Sequence, residues 1–169
     1  MKYLNVSVLG LTGRPHPAIT GVTTSHEVKK MRPHIKMLTG NYLTFEIKSQ
    51  QSGGSPECHL CPSDPDDPVS QDQGSIPNES LQHLISQCSK FEDLRKRIKS
   101  SIETVCNNAK LKIEIETFSN NEFTQFILDP SSLNLKKRVN ISHPALPELF
   151  KLSRDYCYAI DRTRTQHIK

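Results

Sequence analysis

The sequence contains no tryptophan, and hydrophobic residues make up only 34% of its 169 residues. Because 11 prolines also interrupt the chain, the composition predicts several small packed pieces instead of one large core. No stretch approaches the ~20 consecutive apolar residues that a membrane-spanning helix needs, so no transmembrane helix is predicted. Residues 1–11 contain one lysine and a short apolar run without a convincing cleavage site, and we therefore expect no signal peptide.

Motifs for catalysis are also missing. The chain has no aromatic-x-Asp-Asp motif of the kind found in polymerases, no Walker phosphate-binding loop and no carboxylate cluster typical of nucleases. The pair Asp66–Asp67 lies between prolines in a polar stretch, which favours a solvent loop. A thiol triad of Cys157 with His143 and Asp155 is disfavoured, because the cysteine lies in a helical pattern without an adjacent base. We therefore expect no enzymatic activity.

Four residues form the most informative pattern in the chain. Cys58 and Cys61 follow a Cys-x2-Cys spacing, and after a gap of 21 residues His83 and Cys88 follow a His-x4-Cys spacing. Three thiolates and one imidazole form a complete tetrahedral ligand set for Zn²⁺, and both half-sites have the short spacing of zinc sites. The sequence therefore predicts a structural zinc site, which commonly acts as a folding device on a binding module.

Two other uses of the cysteines are disfavoured. A redox Cys-x-x-Cys motif needs a preceding strand and a helix that starts at the first cysteine, whereas here Gly53–Pro56 precedes the pair and Pro62 follows it. A disulfide framework is disfavoured because five cysteines is an odd number, and because Cys106 and Cys157 lie in helical patterns where buried thiols are ordinary packing residues. Reduced cysteines are consistent with an intracellular location, nuclear or cytoplasmic.

The net charge is +4, and its distribution is more informative than its sum. Basic residues form four groups: Lys29, Lys30, Arg32 and Lys36; Arg95, Lys96, Arg97 and Lys99; Lys136, Lys137 and Arg138; and Arg154, Arg162, Arg164 and Lys169. Acidic residues are concentrated between the two half-sites, at Asp64, Asp66, Asp67 and Asp72. This separation favours a polyanionic partner, RNA or DNA, bound with little sequence selectivity. For any single group, a solvated helix face remains the alternative.

The chain divides into four predicted segments. They are an irregular N-terminal segment (1–23), a basic helix and short strand with a linker (24–57), a zinc knuckle with an amphipathic helix (58–108) and a C-terminal helical tail (109–169). A loop over 62–77, rich in Asp, Pro, Ser and Gln, is expected to be disordered inside the knuckle. The predicted fold class is mainly α, with several short helices around a small Cys-Cys-His-Cys zinc knuckle.

Local signals place the first elements. A Thr24-x-x-Glu27 capping box and apolar residues at helical spacing predict a helix over 25–40. Pro33 lies inside this helix and is expected to kink or split it, because proline removes a backbone hydrogen bond. The short apolar segment 42–47 indicates a strand.

Further signals place the later helices. Residues 78–88, with Asn78 as N-cap, predict a short helix, and a Ser89-x-x-Glu92 capping box predicts an amphipathic helix that reaches about Asn107. Segment 110–116 is consistent with a strand or with continuation of that helix. Two shorter signals follow: Asn120 is the predicted cap of a short helix, and Ser142-His143-Pro144 opens a last helix with proline in its first turn.

Several stretches together carry a resemblance to a known family. They are Arg32–Leu43, Ser52–Pro56 leading into Cys58-x2-Cys61, the pattern Glu79-x3-His83-x4-Cys88, and the closing stretches Leu133–Leu135, His143–Glu148 and Leu152–Ile160. They resemble the C-terminal zinc-binding region of non-LTR (LINE-like) retrotransposon reverse transcriptases. The resemblance covers about residues 10–169.

The resemblance implies a zinc-binding segment that follows the polymerase domain and helps the enzyme to hold its RNA template or target DNA. It implies that Cys58, Cys61, His83 and Cys88 match the zinc ligands of the family one by one. The upstream reverse transcriptase domain is then a second expected partner. Two alternatives stay open: a structural zinc module whose helix over 91–105 docks onto that polymerase portion, and a non-functional remnant of a retroelement.

Overall fold

A computed structural model of the protein describes residues 22–61, 76–133 and 143–167. Within these ranges the chain is mainly α-helical, which confirms the predicted fold class. The elements in chain order are α1 (Ser25–Leu38), α2 (Phe45–Ser52), a π-helical turn (His83–Gln87), a 3₁₀ turn (Ser89–Phe91), α3 (Glu92–Asn108), a 3₁₀ turn (Ile115–Thr117), α4 (Asn120–Leu128), a 3₁₀ turn (Pro130–Leu133) and α5 (Leu146–His167). The predicted irregular segment 1–23 and disordered loop 62–77 fall almost entirely outside the described residues.

Helix α1 begins as the sequence predicts. The Thr24 hydroxyl accepts a hydrogen bond from the Glu27 amide, and the Glu27 carboxylate accepts one from the Thr24 amide, so the capping box is formed. Pro33 was expected to kink or split this helix, and a split does not occur, because α1 runs through Pro33 as one helix. Pro33, His34, Met37 and Leu38 are all buried, and this packing offsets the hydrogen bond that proline removes.

Residues 42–47 do not form the predicted strand. They lead instead into α2, whose first amide, that of Phe45, donates to the Glu79 carboxylate at 2.9 Å. The Thr44 hydroxyl accepts from the Ile47 amide at 3.3 Å and completes the N-terminal cap. The alternation of apolar residues was too short to separate strand from helix, and a carboxylate distant in sequence decides the outcome.

Helix α3 confirms the predicted amphipathic helix, with Ile98, Ile102 and Cys106 buried along one side. The predicted capping box at its start is wrong, because residues 89–91 form a 3₁₀ turn and α3 begins only at Glu92. The Ser89 hydroxyl donates to the Cys61 sulfur at 3.8 Å instead of capping the helix.

The segment after α3 is neither of the two predicted structures. Lys110 has a φ angle of 54°, a left-handed conformation that stops the helix. The Leu111 amide then donates to the Cys106 carbonyl at 2.8 Å, and irregular chain leads to the 3₁₀ turn over Ile115–Thr117. Ile115 is fully buried, so packing and local turns, not strand pairing, fix this segment.

The last two helices differ from prediction mainly at their starts. Ser119, not Asn120, is the N-cap of α4 and forms a capping box with Glu122. Helix α5 begins at Leu146, and the preceding His143 side chain accepts a hydrogen bond from the Ala145 amide at 3.2 Å. Such shifts of one to a few residues reflect competition between neighbouring capping side chains.

The buried apolar side chains form one connected core, and the predicted set of separate small cores is wrong for the described residues. Each of the predicted segments 24–57, 58–108 and 109–169 contributes to this core. Its largest fully buried members include Met37, Leu84, Ile102, Phe126, Phe150 and Ile160. Helix α5 contacts α1, α3 and α4, so it lies at the centre of the packing. Among the described helices, none is long and apolar enough to cross a lipid bilayer.

Candidate metal centre

Cys58, Cys61, His83 and Cys88 converge in the folded chain. Their ligand atoms, three Sγ and one imidazole nitrogen, all lie within 4.8 Å of one another. The Cys61 sulfur lies 3.3 Å from His83 Nε2 and 3.7 Å from the Cys88 sulfur, and the Cys58 and Cys88 sulfurs are 4.0 Å apart. Three of the four residues are buried and Cys61 is partly exposed. The predicted knuckle is therefore present, and these four residues can hold a metal ion.

A short antiparallel pairing of backbone segments brings the two half-sites together. Glu57 and Asn78 form an isolated bridge. On either side of it, the Cys58 amide donates to the Pro77 carbonyl at 2.9 Å and the Glu79 amide donates to the Pro56 carbonyl at 2.7 Å. These backbone bonds set the position of the first half-site relative to the chain that leads into the second.

A π-helical turn shapes the second half-site. The predicted helix from Asn78 is wrong in extent, since this residue belongs to the bridge and helical structure begins at Leu81. In an α-helix, residues five apart point about 140° away from each other. Here the Cys88 amide donates to the His83 carbonyl at 2.7 Å, a five-residue π-type bond, and both side chains reach the same centre.

Other side chains hold the ligands in place. Both terminal nitrogens of Arg95 donate to the Cys88 carbonyl at 3.2 Å. The His83 amide donates to the Ser80 hydroxyl at 3.0 Å, and the Cys61 amide closes the Cys-x2-Cys turn on the Cys58 carbonyl at 3.3 Å. Each ligand-bearing turn is thus stabilised by hydrogen bonds to its backbone.

The cluster favours thiolate formation at one of its sulfurs. The hydrogen bond from Cys88 lowers the pKa of the Cys58 thiol well below its usual value, and the His83 side chain lowers it further. The pKa of Cys88 is raised, because this thiol would have to ionise next to the Cys58 sulfur and in a buried position. A thiolate next to other soft donors is the form in which cysteine binds metal ions.

The two remaining cysteines behave as packing residues, as predicted. Cys106 and Cys157 are buried, and burial raises the pKa of both thiols. All five cysteines are free, so no disulfide competes for the four ligands.

The structure divides the first predicted nucleic-acid-binding group. Lys29, Arg32 and Lys36 are exposed along one side of α1, and Lys30 is bound to the Asp155 carboxylate at 2.7 Å. We call the three exposed residues the α1 basic stripe. Within the described residues, no acidic side chain forms an ion pair with them.

The second predicted group is largely engaged within the protein. Lys96 pairs with Glu92 and Lys99 pairs with Glu116, each at 2.7 Å. Arg95 binds the Cys88 carbonyl, and Arg97 alone of this group is exposed without such a contact among the described residues. The third group, Lys136, Lys137 and Arg138, lies outside the described residues.

The fourth basic group is not the surface cluster that its spacing suggested. Arg154 and Arg164 are 5% and 8% exposed, which leaves them unable to contact a phosphate backbone in this fold. Arg162 is exposed, and Lys169 lies outside the described residues. Charge in the sequence cannot distinguish such buried arginines from surface ones, because both occur on amphipathic helices.

Glu79 is the residue whose role sequence reasoning missed. It is fully buried, and its Oε1 accepts hydrogen bonds from Arg164 and from the Phe45 amide. The only signal in the sequence was its place four residues before His83 in the quoted pattern. Nothing in the sequence identifies its partners, since both are distant along the chain.

Comparisons with known proteins give no relative. No protein-family model matches the chain, and no curated protein or solved structure matches it either. The resemblance to non-LTR reverse transcriptases stays a prediction, and the function has to be inferred from the residues.

Proposed function

We propose that the protein is a zinc-stabilised helical module that binds the phosphate backbone of RNA or DNA, in the manner of the C-terminal region of a non-LTR retrotransposon reverse transcriptase. The observation that carries the proposal is the convergence of three thiols and one imidazole in a protein whose first helix presents an exposed basic stripe. The family relationship rests on the sequence stretches quoted above.

Zinc fits the donor set in number, chemistry and spacing. Tetrahedral zinc with Zn–S bonds of about 2.3 Å requires sulfur atoms about 3.8 Å apart, and sulfur and nitrogen atoms about 3.6 Å apart. Two of the three sulfur–sulfur distances are 3.7 and 4.0 Å, one nitrogen–sulfur distance is 3.3 Å, and all four ligand atoms lie within 4.8 Å of one another. Three soft sulfurs and one imidazole also favour Zn²⁺ over Mg²⁺ or Ca²⁺, which prefer oxygen ligands.

The zinc ion would act on folding, not on chemistry. A filled Cys3His set leaves no open position for a substrate, which is typical of structural sites. Binding of zinc to such sites contributes about 10–16 kcal/mol, a large amount for a chain whose hydrophobic content is 34%. The ion would join the Cys58 loop to the turn that bears His83, and both contribute side chains to the common core.

The α1 basic stripe supplies the contact with nucleic acid. Lys29, Arg32 and Lys36 are spaced three and four residues apart, so they align on one face of α1 over about 10 Å. The opposite face is buried, with Met37 and Leu38 in the core. A rigid row of three cations suits phosphate groups, and it carries no means of reading bases.

Packing of α3 favours this proposal over the docking alternative. A partner-docking helix needs an exposed apolar face. Phe91, Ile98 and Ile102 are already buried within the protein, and Leu94 and Val105 are partly buried and pack against the same core. The second alternative, an inert remnant that never folds, can be distinguished by circular dichroism, because its helical content would not respond to zinc.

Metal content tests the first half of the proposal. We expect one zinc per chain by native mass spectrometry, and loss of helical circular dichroism on chelation. His83→Ala and Cys88→Ser should lose the ion, whereas the matched variant Cys106→Ser should keep it. Because loss of a ligand can also unfold the chain, cobalt substitution gives a second readout: Cys58→Ser should weaken the thiolate-to-cobalt absorption. Wild-type protein without bound metal would refute the zinc site.

Salt dependence of binding tests the second half. Fluorescence anisotropy with a labelled 20-nucleotide single strand should show affinity that falls steeply with salt. Replacing all three stripe residues by Gln should make the log–log slope about 2 units less steep, at about 0.7 per phosphate contact. The charge-matched triple variant Lys96→Gln, Lys110→Gln, Lys112→Gln should change the slope far less. Equal effects of the two triple variants would contradict a contact at α1.

A further inference from the structure

The metal loop presents one side chain outward. Only two residues, His59 and Leu60, separate the ligands Cys58 and Cys61. Leu60 is 7% exposed and belongs to the core, whereas His59 is exposed. The metal-binding turn therefore holds a ring at the surface that is not one of the four clustered ligands.

The His59 ring lies against an aromatic partner. Its centroid is 4.6 Å from that of Phe45, with the two planes at 42°. Phe45 is the first residue of α2 and is only partly buried. The two rings thus form a small aromatic surface where the metal loop meets α2.

A positive charge accompanies this aromatic surface. Lys48 Nζ lies 5.4 Å from the Phe45 centroid, within the range of a cation–π contact. The two residues are three positions apart on α2 and so share one face, while Glu46, the one acid of α2, points elsewhere around the helix. On the buried side, the Arg164 guanidinium lies 5.1 Å from the same ring and supports its position.

The aromatic surface follows the α1 basic stripe closely along the chain. Lys36 lies in the last turn of α1, and Phe45 opens α2 nine residues later. Between them lies Leu43, which is 51% exposed. Among the described residues, no other large hydrophobic side chain is exposed. Cations, an exposed apolar side chain, the partly buried Phe45 ring and the exposed His59 ring therefore follow one another along the chain from α1 to the metal loop.

We propose that His59, Phe45 and Lys48 form a base-stacking site, and that the protein binds single-stranded nucleic acid in preference to duplex. An unpaired base can stack on an exposed ring while Lys48 contacts the adjoining phosphate. In a duplex the bases are stacked on each other, which leaves only the phosphates for the α1 basic stripe. This inference rests on the proposed nucleic-acid binding and names the form of nucleic acid that is bound.

Substitution of His59 tests the stacking site. We would measure the zinc-loaded full chain by anisotropy with oligouridine, oligothymidine and a duplex of equal length. His59→Ala should weaken binding of both single strands about fivefold to 150-fold, the range for loss of one base–aromatic stack, and leave duplex binding unchanged. His59→Phe should restore single-strand binding. His26→Ala, which removes another exposed imidazole at the far end of α1, should change neither.

Further readouts separate stacking from a general loss of structure. Zinc content and helical circular dichroism should be unchanged in His59→Ala, because the buried Leu60 anchors the loop. The fluorescence of 2-aminopurine placed in the single strand should fall on binding to wild type and fall less with His59→Ala. Equal weakening of single-strand and duplex binding, or no weakening at all, would overturn the stacking site.

The two proposals fail in different ways. If the salt slope responds to the α1 basic stripe but His59→Ala has no effect, backbone binding stands and base stacking is wrong. If no oligonucleotide binds at all, the proposed function itself is wrong. If both single strands bind, a comparison of oligouridine with oligothymidine at one salt concentration shows whether RNA or DNA is preferred.

Discussion

Arg164 donates two hydrogen bonds to a single carboxylate oxygen of Glu79, although the residues are 85 positions apart. The distances are 2.9 Å from Nε and 2.7 Å from a terminal nitrogen, and both side chains are buried. The same oxygen accepts the Phe45 amide at 2.9 Å. Glu79 therefore connects the chain that leads into the second half-site with α5 and with the start of α2.

Glu79→Gln should destabilise the protein severely. The amide oxygen of glutamine can still accept from the Phe45 amide, but Arg164 is left as a buried charge without a counter-ion. We expect a loss of about 3–5 kcal/mol in the free energy of unfolding. Urea unfolding of the zinc-loaded protein, followed by circular dichroism, measures it.

Two variants serve as controls for this pair. Glu79→Gln combined with Arg164→Met removes both charges and should be more stable than Glu79→Gln alone. Glu92→Gln breaks the exposed pair with Lys96 at the start of α3 and should lower the unfolding midpoint far less, since water solvates both partners. A double variant no more stable than the single one would show that charge burial is not the cause.

Tyr156→Phe should weaken the support of the metal centre from α5. The buried Tyr156 hydroxyl donates to the Ile85 carbonyl at 2.7 Å, inside the turn between His83 and Cys88. Removal of the hydroxyl leaves that carbonyl without this donor, at a cost of about 1–3 kcal/mol in unfolding free energy. Tyr158→Phe, at a more exposed position of the same helix, should cost much less. Equal losses would argue against this bond.

Arg95→Met should weaken zinc binding, although Arg95 was predicted to contact nucleic acid. Its two terminal nitrogens hold the carbonyl of the ligand Cys88. Loss of such a support typically lowers metal affinity about 10-fold or more. Competition with a chromophoric chelator measures zinc affinity. Arg97→Met, the matched control on the same helix, should leave it unchanged, and a similar effect of both variants would exclude this role.

Alkylation should divide the cysteines into two classes. In the zinc-loaded protein, all five thiols should react slowly with N-ethylmaleimide, three because they bind metal and two because they are buried. Brief exposure to a chelator should expose Cys58, Cys61 and Cys88 first, as followed by peptide mass spectrometry. Labelling of Cys106 and Cys157 should follow later, as the helices unfold without zinc, and labelling of these two before the other three would contradict the metal site.

The clustering of Cys58, Cys61, His83 and Cys88 could be predicted because its information is local. Cys-x2-Cys and His-x4-Cys each place two donors within one turn, so spacing alone indicates the chemistry. The capping box at Thr24 was predictable for the same reason. At Ser89 the same pattern failed, because the hydroxyl binds the Cys61 sulfur, a partner that lies 28 positions away.

Contacts between distant segments were beyond sequence reasoning. The start of α2 depends on Glu79, and Arg164 is an internal residue only because α5 packs through the centre of the core. Periodicity describes one element at a time, so it cannot show which charged side chain meets which. The division of the basic groups into the exposed α1 basic stripe and the arginines that bind within the protein therefore required the folded chain.

Pro56 and Pro77 both lie in the short pairing that aligns the two half-sites, and each takes part only through its carbonyl oxygen. Proline lacks an amide hydrogen but keeps its acceptor, so the two rings stiffen the pairing without the loss of either bond. Positions 58 and 79, by contrast, must donate and could never become proline. A distant homologue could therefore be recognised by prolines at positions 56 and 77 together with residues other than proline at 58 and 79. This pattern can persist even where Glu57 and Asn78 have diverged.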